Sequence, residues 1–261
     1  MSTENAGREV PFGYRHVDER EKPGLVREVF DRVAGRYDLM NDVMSGGVHR
    51  LWKQALMDWL DPQPGQTLLD VAGGTGDVGR AFLKRAAWKA RRRGGPDAGP
   101  QARAILCDIN EAMLQAGAAK HPDEAGIRRV CGDAEALPLA DRTVEVCTIA
   151  FGIRNVTHID RALAEMRRVL KPGGRFICLE FSHVDIPGLD TLYEAYSFKV
   201  IPQLGRLFAG SAEPYHYLVE SIRRFPARGE FANMMAQAGF AQVKVRPLSG
   251  GIAALHSGWR L

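Results

Sequence analysis

The sequence predicts an α/β fold built on a doubly wound parallel sheet, and three observations carry that prediction. Between residues 66 and 181, short apolar runs alternate with segments whose apolar positions recur at helical spacing. The first run, Leu68-Leu69-Asp70-Val71, enters a glycine-rich turn, Ala72-Gly73-Gly74-Thr75-Gly76-Asp77. Acidic residues or glycines follow the later runs, as at a ligand site on the carboxyl ends of parallel strands.

Taken in order, residues 1–22 mix Glu and Asp with Arg, lack an apolar run and are expected to form a flexible segment. Residues 25–60 place Val26, Val29, Phe30, Val33, Leu51, Leu56, Trp59 and Leu60 at helical spacing, with a break at Gly46-Gly47, and predict two or three helices ahead of the sheet. A strand over 66–71 then leads through the glycine turn into a helix from Asp77 to about Arg92. Residues 91–100 read as a surface loop, and with Lys84, Arg85 and Lys89 they form a basic cluster. Such a cluster suits a helix C-terminus and water as readily as phospholipid or RNA.

Strand patterns return at 104–107, 127–131, 144–151 and 175–181, with helices at 110–120 and 159–170. Leu170-Lys171-Pro172-Gly173-Gly174 reads as a helix stop and tight turn. After Phe181 a segment rich in aromatics and prolines runs to Pro226, followed by a helix at 230–238 and strands at 241–247 and 252–259. No repeat or low-complexity linker interrupts the chain, so residues 23–261 read as one domain with an insertion at about 187–227.

A net charge of +4 permits contact with an anionic membrane or nucleic acid without demanding either. The four cysteines, Cys107, Cys131, Cys147 and Cys178, sit in or beside apolar runs without zinc spacing, and are expected to be reduced, buried and free of metal. No stretch has the length and apolarity of a membrane span. A cytoplasmic protein is the expectation.

The glycine turn alone leaves the ligand open. Gly74-Thr75-Gly76-Asp77-Val78-Gly79 fits the dinucleotide fingerprint, while Asp70 to Gly76 fits the first motif of methyltransferases that use S-adenosylmethionine (SAM). Asp108, after the second strand, can accept from both ribose hydroxyls, or serve as a helix cap. Asp133, after the third, can accept from an adenine amino group while Ala134 offers a backbone N–H to the ring. A nicotinamide enzyme would need a second βαβ half, which the sequence after Phe181 does not supply.

These segments resemble the class I SAM-dependent methyltransferases and, within them, the ubiquinone/menaquinone C-methyltransferase family. The resemblance runs from about residue 10 to 261. It rests on the 30–41 stretch FDRVAGRYDLMN, HRLWK, AGGTGD, GDAEALP, FGIRNVTHID, LKPGGRFICLEFS, YLVESIRRFP and the final Leu255-His256-Ser257-Gly258-Trp259. It implies a Rossmann-like class I methyltransferase fold with a seven-stranded, mostly parallel sheet, helices on both faces, N-terminal helices and a helical lid. It further implies SAM bound by Gly73, Gly74, Thr75, Gly76, Asp108, Asp133 and Ala134, and methylation of a ring carbon of a polyprenyl benzoquinol or demethylmenaquinol. Relatives often carry serine where this chain has Ala150. The alternatives are a SAM-binding scaffold subunit of a quinone-biosynthesis complex, or a methyltransferase for another small aromatic or lipid acceptor.

Arg154 and Asn155, beyond the fourth strand, are the expected catalytic residues, with Arg154 stabilising a phenolate or orienting water. The competing reading pairs Arg154 with a carboxylate that fixes the loop. Tyr37 and Asp38 are candidates to cover the cofactor, and His183 is a candidate proton acceptor. The aromatic stretch 192–208 suits a lid over the prenyl tail or plain core packing, and with it go peripheral membrane contact, a quinone-biosynthesis complex and a homodimer as partner expectations. No nucleic-acid partner is expected.

Overall fold

The computed structural model describes residues 8–33, 42, 45–94, 100–122, 124–184, 203 and 213–261. Its elements are β1 (Glu9–Phe12), β2 (Arg15–Asp18), α1 (Lys22–Val33), α2 (His49–Leu60), β3 (Thr67–Val71), α3 (Asp77–Gly94), β4 (Arg103–Asp108), α4 (Glu111–Lys120) and β5 (Ile127–Cys131). There follow β6 (Val144–Ala150), a 3-10 turn (Ile153–Asn155), α5 (Ile159–Val169), β7 (Leu170–Phe181), α6 (Glu213–Arg224), α7 (Arg228–Gln237), β8 (Ala241–Leu248) and β9 (Ala253–Trp259).

Seven strands form one sheet in the order β5-β4-β3-β6-β7-β9-β8. The first five in that order are parallel, and β9 and β8 return antiparallel at the edge. This is the expected class I methyltransferase sheet. The order reverses about β3, which pairs with both β4 and β6. A crevice therefore opens at its carboxyl end, where α/β folds place ligands.

Burial on both faces explains why β3 is apolar without alternation. Successive side chains of a strand point to opposite faces. Leu68 packs in a core with Leu56, Phe82 and Ile177, whereas Leu69 packs in another with Cys147, Met166 and Phe176. Both leucines are fully buried. Asp70 is the polar exception in this strand interior, and β6 supplies its partner: Thr148, opposite it in the ladder, donates its hydroxyl to Asp70 Oδ1 at 2.7 Å.

The structure departs from expectation in four places. The N-terminal segment expected to be flexible carries a hairpin in which Val10 pairs with Val17, and the Phe12 ring stacks on Tyr217 with centroids 4.2 Å apart. Leu170–Gly174 belongs to β7 rather than to a separate turn, because Gly173 N–H donates to the Arg260 carbonyl and Arg260 N–H to that of Gly174, which ties this stretch to the C-terminus. Helix α3 continues to Gly94, into the stretch expected as loop. Cys131 is exposed while the other three cysteines are buried and all are free, since Cys131 ends β5 on the sheet edge. Tyr37, Asp38 and most of the expected lid, residues 187–202 and 204–212, lie outside the described residues.

Candidate active site

The site is built from the ends of β3, β4, β5 and β6. Beyond β3 the backbone turns through left-handed conformations at Ala72 (φ 51°), Gly74 (φ 50°) and Gly76 (φ 96°). Gly73 N–H donates to the Cys107 carbonyl at 3.2 Å and Gly76 N–H to that of Gly73 at 2.9 Å, so the turn is bonded to β4 and to itself. A close approach from behind fixes its position: a Cβ on Gly117 of α4 would lie 2.4 Å from the Thr75 carbonyl oxygen. Only a residue without a side chain fits there.

Asp108 closes β4 and is locked by two backbone donors. Gly74 N–H reaches its Oδ2 and Asn110 N–H its Oδ1, each at 2.9 Å. Burial pushes its carboxyl above the ordinary range, and these two bonds work against that rise. Asn110 in turn caps α4, accepting from Met113 N–H at 3.0 Å, and donates to Asp31 Oδ1 at 2.8 Å. It therefore joins the site to α1. Past β5, Asp133 accepts from Glu135 N–H at 2.9 Å. Glu135 is itself oriented by His158, whose backbone N–H lies at 2.8 Å and whose ring Nδ1 lies at 2.7 Å.

These residues line one cleft together with α1, which presents Val26, Arg27 and Phe30. Three carboxylates, Asp108, Asp133 and Glu135, face it alongside a single arginine among the described lining residues. That balance repels a pyrophosphate and suits ribose hydroxyls and a cationic sulfonium. The sheet ends in antiparallel β9 and β8 and not in a second parallel βαβ half, which decides against the dinucleotide reading of the glycine turn.

A smaller cavity lies under the turn and shares Ala72 and Phe151 with the cleft. Gly73 and Thr75 line this second space. Asp70 also lines it, and burial pushes its carboxyl up to about 7 against the hydrogen bond from Thr148.

Beyond β6, Arg154 and Asn155 part company. The Arg154 guanidinium pairs with Glu180 Oε1 at 2.7 Å, and it also donates to the Phe151 carbonyl at 2.6 Å and to Ser221 Oγ at 3.3 Å. Its side chain is 3% exposed and it is not among the residues lining the cleft. The expectation that Arg154 faces the acceptor is corrected accordingly: the buried carboxylate of Glu180 claims its charge. Asn155 does line the cleft. Its Oδ1 accepts from the Tyr217 hydroxyl at 3.1 Å, while its buried Nδ2 has no hydrogen-bond partner among the described residues.

The family model for the ubiE/COQ5 methyltransferase family matches residues 15–260. The chain belongs to that family. It is 54% identical over 264 residues to a ubiquinone/menaquinone biosynthesis C-methyltransferase of Paracoccus denitrificans, covering 99% of this chain and all of the relative. It is 57% identical over 254 residues to the enzyme of that name from Methylobacterium nodulans, covering 96% of each. Among solved structures, a SAM-dependent methyltransferase from Thermotoga maritima superposes with a TM-score of 0.59 at 21% identity, over 90% of this chain and 99% of that one, which shows the fold.

On this family's frame, the structure brings Gly74, Asp108, Asp133, Ala134 and Asn155 together around the cleft. Gly76 serves the turn instead, its Cα facing Leu106 closely enough that a Cβ would lie 2.8 Å from Cδ1. His183 is tied through its carbonyl to Arg228 at 3.0 Å and is not among the lining residues. Among the described residues no cluster of His, Cys, Asp or Glu could hold a metal. Asn110, Glu135 and Tyr217 join the site without a role assigned to them from the sequence pattern. Asn110 had a signal, since it stands where a helix cap belongs two residues after Asp108.

Proposed function

We infer that this protein is a SAM-dependent C-methyltransferase of quinone biosynthesis, acting on a ring carbon of 2-polyprenyl-6-methoxy-1,4-benzoquinol or of demethylmenaquinol. The observation that carries the reading is one cleft holding both the nucleoside-type acceptors Asp108 and Asp133 and Asn155, whose Nδ2 has no partner among the described residues, in a chain of this family. Asp108 would take the ribose hydroxyls, Asp133 the adenine amino group and Ala134 N–H the ring, while Gly73, Gly74 and Thr75 allow close approach of the backbone. When bound, SAM supplies a methyl group on a positively charged sulfur.

The chain's own contribution is orientation. Tyr217 donates to Asn155 Oδ1, which fixes the amide with Nδ2 as its free donor. That donor would hold an oxygen of the quinol, where negative charge gathers as the neighbouring ring carbon becomes nucleophilic. Arg154 acts through position: its ion pair with Glu180 anchors the 3-10 turn that carries Asn155. Phe151 and α1 wall the cleft and exclude water from the reacting pair. The prenyl tail would bring the protein to a membrane surface as a peripheral contact, since no described helix is long and apolar enough to cross one.

The test incubates purified protein with methyl-labelled SAM and short-tailed demethyl benzoquinol or naphthoquinol, comparing wild type with Asn155→Ala. Turnover on either quinol, reduced at least about tenfold in the variant, is expected. SAM binding without transfer to either quinol would sink the reading.

A further inference from the structure

Helix α3 ends on a face that the site does not use. From Lys84 to Arg93 it carries six cations and no acid. Two of them are matched from α2 and its C-cap: Arg85 pairs with Asp58, and Lys89 with Asp61. Lys84 and Arg91 are exposed and have no polar partner among the described residues, and Arg92 lies over the Trp88 ring, 4.8 Å from its centroid. Cations in the last turn of a helix complement its dipole, which accounts for Arg91, Arg92 and Arg93. The dipole accounts neither for Lys84 nor for Trp88, which is 49% exposed. A groove between α2 and α3 is lined by the apolar Met57, Ala81 and Trp88 and by the cationic Arg50, Lys84 and Arg85. Asp58 is its one acid among the described lining residues, and Arg85 occupies it. Leu51, on the same face of α2 as Gln54 and Asp58 of the groove, is 61% exposed.

Excess positive charge beside an exposed tryptophan and leucine fits the surface of an anionic bilayer. There the cations meet lipid phosphates, while the indole and the aliphatic side chain enter the boundary between headgroups and chains. A nucleic acid would answer the charge but give Leu51 nothing to bury against. We propose that the α2–α3 face docks this protein on a membrane that contains anionic phospholipid. The groove shares no described lining residue with the main cleft, so the docking face is separate from the cofactor and acceptor site. The choice of a bilayer as partner rests on the prenylated acceptor inferred above.

Co-sedimentation of the full chain with vesicles tests it, using phosphatidylcholine alone and phosphatidylcholine mixed with phosphatidylglycerol. Wild type is expected to bind the mixed vesicles, to release them as salt is raised, and to leave the neutral ones unbound. Each cation at an anionic leaflet strengthens binding about fivefold, so Lys84→Gln/Arg91→Gln/Arg92→Gln should weaken it on the order of a hundredfold. Trp88→Ser should remove the blue shift of tryptophan fluorescence on the mixed vesicles. A control that removes as much charge from exposed positions of the two edge strands, Arg128→Gln/Lys244→Gln/Arg246→Gln, should bind as wild type does. Both triple variants should keep the wild-type melting temperature, which shows them folded. No binding to mixed vesicles, undiminished binding by the Lys84 triple variant, equal loss in both triple variants, or binding to a single-stranded oligouridylate with none to vesicles would overturn the proposal. Vesicle binding through this face by protein that methylates neither short-tailed quinol would instead contradict only the functional reading.

Discussion

Arg154 and Glu180 form an ion pair of 2.7 Å between side chains that are 3% and 1% exposed. Two charges so deeply buried are tolerable only together, because each alone would face the full cost of leaving water. Arg154→Ala should therefore destabilise the fold by about 3–5 kcal/mol, as should Glu180→Ala. The double variant Arg154→Met/Glu180→Leu should recover much of that stability without recovering activity. Urea unfolding alongside turnover checks this; a fully stable Arg154→Ala protein that is nonetheless inactive would favour direct action on the acceptor.

Gly117→Ala should impair the cofactor site from outside it. The added methyl meets the Thr75 carbonyl at 2.4 Å, so either α4 or the glycine turn must shift, at a cost of about 1–3 kcal/mol. Weaker S-adenosylhomocysteine binding together with a lowered melting temperature is expected. Binding and stability both equal to wild type would show that the turn accommodates a side chain there.

Asp108→Asn presents an amide NH₂ toward one of the backbone N–H groups of Gly74 and Asn110. Losing one charge-assisted bond costs about 1.5–3 kcal/mol. Affinity for S-adenosylhomocysteine should fall roughly tenfold to a hundredfold, measured by calorimetry. Unchanged affinity would place the ribose elsewhere.

Stability should respond to pH through two buried groups of opposite sign. Burial raises Asp70 to about 7, so the folded state holds its proton after the unfolded chain has lost it, and stability falls as pH rises from about 4 to 7. Burial lowers His256 to about 4, so the unfolded chain holds more protons between about 4 and 6.5, and stability rises over that range. The slopes oppose each other. Asp70→Asn, which keeps an acceptor for Thr148, should gain on wild type as pH rises, by about 1–3 kcal/mol at pH 8 relative to pH 4. Urea titrations at the two pH values give the comparison, and a constant difference would mean that Asp70 is ionised throughout.

Much of this arrangement is legible in the sequence because parallel strands deliver their ligand residues just past their ends. Asp108 and Asp133 each stand at such a point, and the glycine turn does so for β3. What stayed hidden depends on distance along the chain. Glu180 is 26 residues from Arg154, and local patterning cannot say that β7 brings its carboxylate under the 3-10 turn. Tyr217 lies 62 residues beyond Asn155, within a phrase that served for resemblance alone. Gly117 looks like an ordinary small residue in a helix until Thr75 is placed against it. The hairpin at Glu9–Asp18 is short, charged and interrupted by Pro11, and it is anchored by Phe12 on Tyr217, a contact that only the fold supplies.

The most direct test of the account is where the methyl group goes. With carbon-13-methyl SAM and a short-tailed demethyl quinol, NMR of the product should show the label as a methyl on a ring carbon, with both quinol oxygens unmethylated. A label found on a quinol oxygen, or no labelled quinol from protein that binds S-adenosylhomocysteine, would contradict it.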